Sequence, residues 1–209
     1  MHPSGYYMAA GFIDRVRVMH VLDDELREYR TLEHRNCQKM KFSMGGQYLV
    51  VIEQKNFYVY ASYTLECLSK NKSPSPFITS LTFNDNDTQL ALVSADGFVY
   101  RYDLMNFKIK SEGSVDRACD FRSCVFQTYG KDQYKIVTVG SNTQRALFRV
   151  FNNIDNVEYT YRDEADTPAL KPLKRFSEVI HLPRAQGGNN PYENFIVGTE
   201  NGELQILSS

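Results

Sequence analysis

The side chains with which this sequence could do chemistry are four histidines, four cysteines and a few clustered carboxylates. His2, His20, His34 and His181 are scattered, and none stands at metal-ligand spacing from a cysteine or carboxylate. Cys119 and Cys124 have Asp120 between them, but a zinc site needs a second ligand cluster and the sequence offers none. They read as inert buried thiols. Asn84, Asp85 and Asp87 in FNDNDTQL gather oxygens that could suit calcium. The stretch lacks the glycine and terminal glutamate of an EF-hand, so it reads as a polar hairpin turn. GFIDR (11–15) and MGGQ (44–47) are turns, and no phosphate loop, dinucleotide fingerprint or nucleophile elbow is present. Asp96 and Asp103 are the carboxylates an enzyme could use, yet turn and strand chemistry account for both and no nucleophile–base set converges on them. No catalytic, cofactor-binding or metal residue is assigned, no cofactor is expected, and the binding residues stay unassigned.

Composition bounds the elements that hold these residues. The 209 residues are 42% hydrophobic, enough for a real core. Lys+Arg 24 against Asp+Glu 25 forces no basic face, so nucleic acid is not an expected partner. Aromatics at 13%, with no tryptophan, lean towards strands. Cys37, Cys67, Cys119 and Cys124 are too sparse for a disulfide framework and read as reduced and mostly buried, in a cytosolic-type compartment. MHPSGYYMAAGF lacks the basic flank and long apolar core of a signal peptide. No apolar run approaches the roughly 18 residues that span a bilayer, so no membrane partner is expected.

A repeat organises the chain. In SADGFVYRYDL (94–104) a turn dipeptide precedes a strand ending at Tyr102-Asp103, where many repeat proteins carry Trp-Asp. Met19, Tyr60, Phe151 and Leu207 occupy the same slot, at steps of 41, 42, 49 and 56 residues. The first two steps match the roughly 40–45-residue period of a WD-type propeller blade, and the last two imply insertions. A second marker keeps the same phase. KMKFS, SLTFN, SCVFQ and VIHLP each end a strand, each meets a polar turn, and each turn leads into another apolar strand: YLVVIE, LALVSA, YKIVTVGS and NFIVGTE. Asp96-Gly97 and Asn201-Gly202 predict two-residue type I′ hairpins, which need positive φ at both residues. TLECLSK (64–70) and NFKIKSEG (106–113) supply a fourth strand. The reading is therefore an all-β, WD40-type β-propeller of about five blades, rather than a sandwich of unrelated hairpins. Its blades fall at about 1–34, 35–76, 77–116, 117–175 and 176–209.

The copies are degenerate. The usual Gly-His before each first strand is absent, with KSPSP (72–76) in its place before Phe77. The expectation is that the Trp–Ser/Thr–His–Asp network of such blades loses its aromatic and imidazole members, with Ser94 or Thr199 keeping part of it. Blades would then be held mainly by apolar packing. His20 fills the Asp slot of its repeat and reads as structural. DDELREYR (23–30) reads as a solvated outer strand and loop. YRDEADTPALKPLKR (161–175) is an insertion loop, either a solvated linker or a docking peptide. AQGGNNPYE (185–193) is a surface turn. Both terminal copies are short of strands, which implies more blades in a longer parent or a partner at the open edges.

Four segments resemble a known family: residues 2–28 (HPSGYYMAAGFIDRVRVMHVLDDELRE), 36–51 (NCQKMKFSMGGQYLVV), 63–70 (YTLECLSK) and 80–90 (SLTFNDNDTQL). Together they are similar to the WD-repeat region of the cilia- and flagella-associated protein 57 family, over about residues 2–113. The resemblance implies tandem propellers followed by a long coiled coil, of which this chain holds no heptad region. It also implies a non-enzymatic scaffold of the motile-cilium axoneme and cytoskeleton, docking or regulating inner dynein arms. The implied partners are proteins: inner dynein arm and associated regulatory complex components, with tubulin as a further candidate. The alternative is a WD-repeat adaptor outside the axoneme, acting as a substrate receptor or trafficking scaffold.

Overall fold

A computed structural model describes residues 1–114, 119–128, 133–141, 146–152, 159–160, 175–182 and 194–208. The surface turn 185–193, and all of the insertion loop 161–175 but Arg175, lie outside the described residues. Within them every regular element is a strand, and the strands form five antiparallel sheets. The first sheet is β1 (Tyr7–Gly11), β2 (Val16–Val21) and β3 (Leu26–Leu32). The second runs β4 (Lys39–Phe42), β5 (Tyr48–Ile52), β6 (Asn56–Ala61) and β7 (Cys67–Lys72). The third runs β8 (Ile78–Phe83), β9 (Gln89–Ser94), β10 (Phe98–Asp103) and β11 (Lys108–Ser114). The fourth is β12 (Asp120–Thr128), β13 (Tyr134–Ser141), β14 (Ala146–Asn152) and β15 (Tyr159–Thr160), and the fifth is β16 (Phe176–Leu182), β17 (Asn194–Thr199) and β18 (Leu204–Ser208).

The chain divides into two compact units, Met1–Leu92 with Tyr100–Glu112, and Val93–Val99 with Gly113–Ser209. In the first unit Val16, Val18 and Leu32 of the first sheet pack on Phe42, Leu49, Val51, Tyr60 and Leu65 of the second. The second sheet is apolar on both faces. Phe57, on its other face, meets the Tyr102 ring edge-on at 4.9 Å. This explains why YLVVI is an unbroken apolar run rather than an alternating one, as expected of a strand buried on both sides. The outermost strand β3 is exposed along most of its length, as its charges require. In the second unit Val137, Val139, Phe148 and Val150 pack on Phe176, Val179, Phe195, Val197 and Leu207.

Tyr60 and Tyr102 are each the fifth residue of the third strand in a four-stranded sheet, and each turns towards the sheet before it. The backbone repeats as well. Gly5, Gly46 and Asp87 have positive φ at intervals of 41 residues, and Leu65 and Phe107 at an interval of 42.

The hairpin turns differ from the expected type I′. Gly97 and Gly202 have φ near +80°, whereas Asp96 and Asn201 do not enter the left-handed region. The Gly97 amide donates to the Ser94 carbonyl at 3.3 Å and the Gly202 amide to Thr199 at 3.0 Å. These are four-residue turns with the glycine last, in the one conformation that a side chain would strain. Ser94 and Thr199 hydroxyls accept the Phe98 and Glu203 amides and close the turns from within.

Candidate interaction surface

The hydrogen-bond network expected to be lost is present in the second sheet with substituted members. His34, in the link between β3 and β4, is buried. Its Nδ1 lies 2.9 Å from Glu53 Oε1 and its Nε2 lies 2.6 Å from the Tyr60 hydroxyl. A carboxylate only accepts, so Nδ1 carries the proton, and in the neutral ring Nε2 then accepts from Tyr60. Burial pushes the Tyr60 phenol well above its ordinary range, which keeps it a neutral donor. Histidine before the first strand, an acid in the β5–β6 turn and an aromatic on the third strand thus restore the arrangement. In the third sheet Ser75 sits at the equivalent place, and the Tyr102 hydroxyl instead accepts from the Asn71 amide at 2.7 Å.

The other chemistry-bearing residues are absorbed into turns. Asp103 accepts the Met105 and Asn106 amides at 2.8 and 3.3 Å and pairs with Lys110 at 3.0 Å. Burial alone would raise its carboxyl, but Lys110 and these amides outweigh that and hold it below the usual value. Asp96 accepts from the Ser94 hydroxyl within its own turn. Asp87 accepts the Met44 and Gly45 amides at 2.9 and 2.8 Å, and Asn84 accepts the Gln89 amide at 2.8 Å. Two of the three residues that suggested calcium thus aim oxygens at backbone, and the third, Asp85, is exposed. Among the described residues no group of three His, Cys, Asp or Glu side chains could hold a metal ion. His20 lies between Tyr7 and Tyr29, tilted to the first ring and edge-on to the second, and His181 lies beside Phe195. All four cysteines are thiols; Cys119 and Cys124 are buried, but Cys67 is exposed and Cys37 partly so. The expectation of mostly buried thiols fails at Cys67 because β7 is an outer strand, open to water on its far edge.

What remains is surface. At one end of the first unit lie residues 1–6 and the turns 22–25, 43–47, 62–66, 84–88 and 104–107, where alternate hairpins of its three sheets close. They are tied sideways. The Val21 amide donates to Tyr6, and the Leu104 amide to Thr88, at 2.8 and 2.9 Å. His2, itself buried, meets the Gly46 carbonyl through Nε2 at 2.8 Å, and the Ser62 hydroxyl donates to that same carbonyl. Asp87 fixes the 43–47 turn from the next sheet. Against these turns the rings of His2, Tyr7 and Phe42 meet one another and the exposed Tyr63 edge to face, at centroid distances of 5.1 to 6.2 Å. A platform built this way can present side chains to a macromolecule. No site residue had been assigned to it, because its members come from six separate segments.

The fold is shared with known structures. A chain in the structure of U3-55K superposes on all of this chain with a TM-score of 0.72 at 12% identity, over 59% of its own length. The protein is an all-β, WD40-type β-propeller of about five blades. No family model matches the sequence. The mouse (Mus musculus) cilia- and flagella-associated protein 57 is 31% identical over 144 residues, 68% of this chain. The chain belongs to the cilia- and flagella-associated protein 57 family. Two Tetrahymena thermophila members of that family, 57 A and 57 C, are 26% identical over 103 residues and 24% identical over 117. They match 47% and 50% of the chain. The chain spans 11% of the length of the mouse member and 8% and 9% of the Tetrahymena members.

Proposed function

We propose that this chain is part of a non-enzymatic scaffold of the motile-cilium axoneme, which binds proteins that dock or regulate inner dynein arms. Membership of a family named for cilia and flagella supports a cilium- or flagellum-associated protein. The observation that carries the non-enzymatic part is the fate of the polar residues: His34, Glu53, Asp87, Asp96 and Asp103 all spend their hydrogen-bonding groups on turns and links. Each proposed blade, 1–34, 35–76, 77–116, 117–175 or 176–209, then serves as a spacer whose turns are the contact points.

The test is a tagged chain expressed in ciliated cells, followed by isolation and graded salt extraction of axonemes with mass spectrometry of what leaves alongside it. The expected result is retention with the axoneme and release together with inner-arm components. A tag confined to the cytosol and absent from isolated axonemes would sink the reading in favour of an adaptor elsewhere.

A further inference from the structure

We propose that the tied hairpin end of the first unit docks a basic segment carrying apolar anchor side chains. This rests on the scaffold reading and gives that scaffold a binding face with a defined chemistry. Tyr6, Met44, Tyr63 and Met105 project from four of its segments and are each more than half exposed. Large aromatic and thioether side chains held open to water on a hydrogen-bonded frame mark a contact surface, since isolated turns tend towards small polar residues. Around them stand the exposed carboxylates Asp23, Asp24, Glu66 and Asp85. The cations at this end include Arg27, paired with Glu25, Lys110, paired with Asp103, Arg30, which donates to the Thr64 carbonyl, and Lys108. The opposite end of the same sheets is closer to balance, with Arg15, Arg35, Lys39, Lys55 and Lys72 beside Asp14, Glu33, Glu53 and Asp96. The acidic end selects lysine- or arginine-bearing partners and repels acidic ones, while the aromatic and methionine side chains supply contact area.

The full chain is titrated into a fluorescent synthetic helix of lysine and leucine, with a glutamate–leucine helix and a lysine–glycine peptide as controls. The lysine–leucine helix is expected to bind, more weakly as salt rises. Asp24→Lys with Asp85→Lys, and separately Tyr6→Ser with Met105→Ser, are each expected to weaken it by about tenfold or more. Ile13→Ser and Phe77→Ser, at the opposite end, are expected to leave it unchanged. Circular dichroism and urea midpoints establish that each variant is folded. The proposal is overturned if the glutamate–leucine helix or the lysine–glycine peptide binds as tightly. It is equally overturned if nothing binds, or if only the opposite-end variants lose binding. Absence of peptide binding in a chain still retained by axonemes would remove this proposal alone, and loss from axonemes with binding intact would remove the ciliary reading alone.

Discussion

Tyr60 makes a hydrogen bond whose worth can be isolated by removing one oxygen. Tyr60→Phe leaves His34 Nε2 buried, with its 2.6 Å partner gone. An orphaned buried acceptor costs about 1–3 kcal/mol, so a lowered urea midpoint of that size is expected. Tyr102→Phe frees only a partly buried Asn71 amide that keeps its 2.8 Å bond to Ser69, and the expected loss is smaller. Equal losses would show that the His34 network is not special. The network is hidden in the sequence because the usual blade signal is Gly-His, whereas here the histidine follows Glu33 and stands five residues before β4. A tyrosine hydroxyl also reaches a different atom from an indole N–H. Asp103 carries a pH signature. Its folded carboxyl lies below the ordinary 3.8, so its contribution is complete above that value and is lost as the pH falls through the folded one. Asp103→Asn should therefore be less stable at neutral pH and show a shallower further loss between about pH 4 and pH 2. Parallel stability–pH curves for the two proteins would contradict the ion pair with Lys110.

At the scale of elements, the turns explain both what was legible and what was not. Strand positions follow from apolar runs, and each marker strand is where its run places it. Turn type was misread because Asp-Gly and Asn-Gly suit two geometries, and Ser94 and Thr199 hydroxyls stabilise the longer one by accepting an amide four residues on. That the turns at Gly46 and Asp87 share one backbone conformation with Gly5 was not legible, because it is filled by glycine twice and aspartate once. Asp87 earns its place by reaching the neighbouring turn. Gly46→Ala should cost about 1–2 kcal/mol from its positive φ alone, and more because the new methyl would meet the His2 ring at 2.5 Å. Asp87→Ala combines that backbone strain with two unsatisfied amides, whereas Asp87→Asn keeps a tolerant backbone and one acceptor. Equilibrium unfolding should rank the four proteins wild type, Asp87→Asn, Gly46→Ala, Asp87→Ala in falling stability. An Asp87→Ala protein as stable as wild type would show that the turns are not tied together.

For the whole molecule, a repeat chain holds its sheets through nearest-neighbour faces, so stability is distributed in space rather than pooled. The repeat was visible because each face must be apolar once per copy. The second sheet, buried on both sides, gave the clearest run, and outer strands such as β7 gave the weakest. Partners were not visible, because exposed turns obey no period. Phe195 is a fully buried ring between Phe148 and His181, facing the fourth sheet from the fifth. Phe195→Ala should cost about 3–5 kcal/mol through lost transfer energy and the cavity left behind. The informative reading is where that cost falls. Hydrogen exchange should lose protection across β13, β14 and β16–β18, the strands whose side chains build that cluster, while β2, β4, β5 and β6 retain theirs. A uniform loss of protection over both units would mean that the chain unfolds as one cooperative body, and the picture of locally stabilised sheets would have to be abandoned.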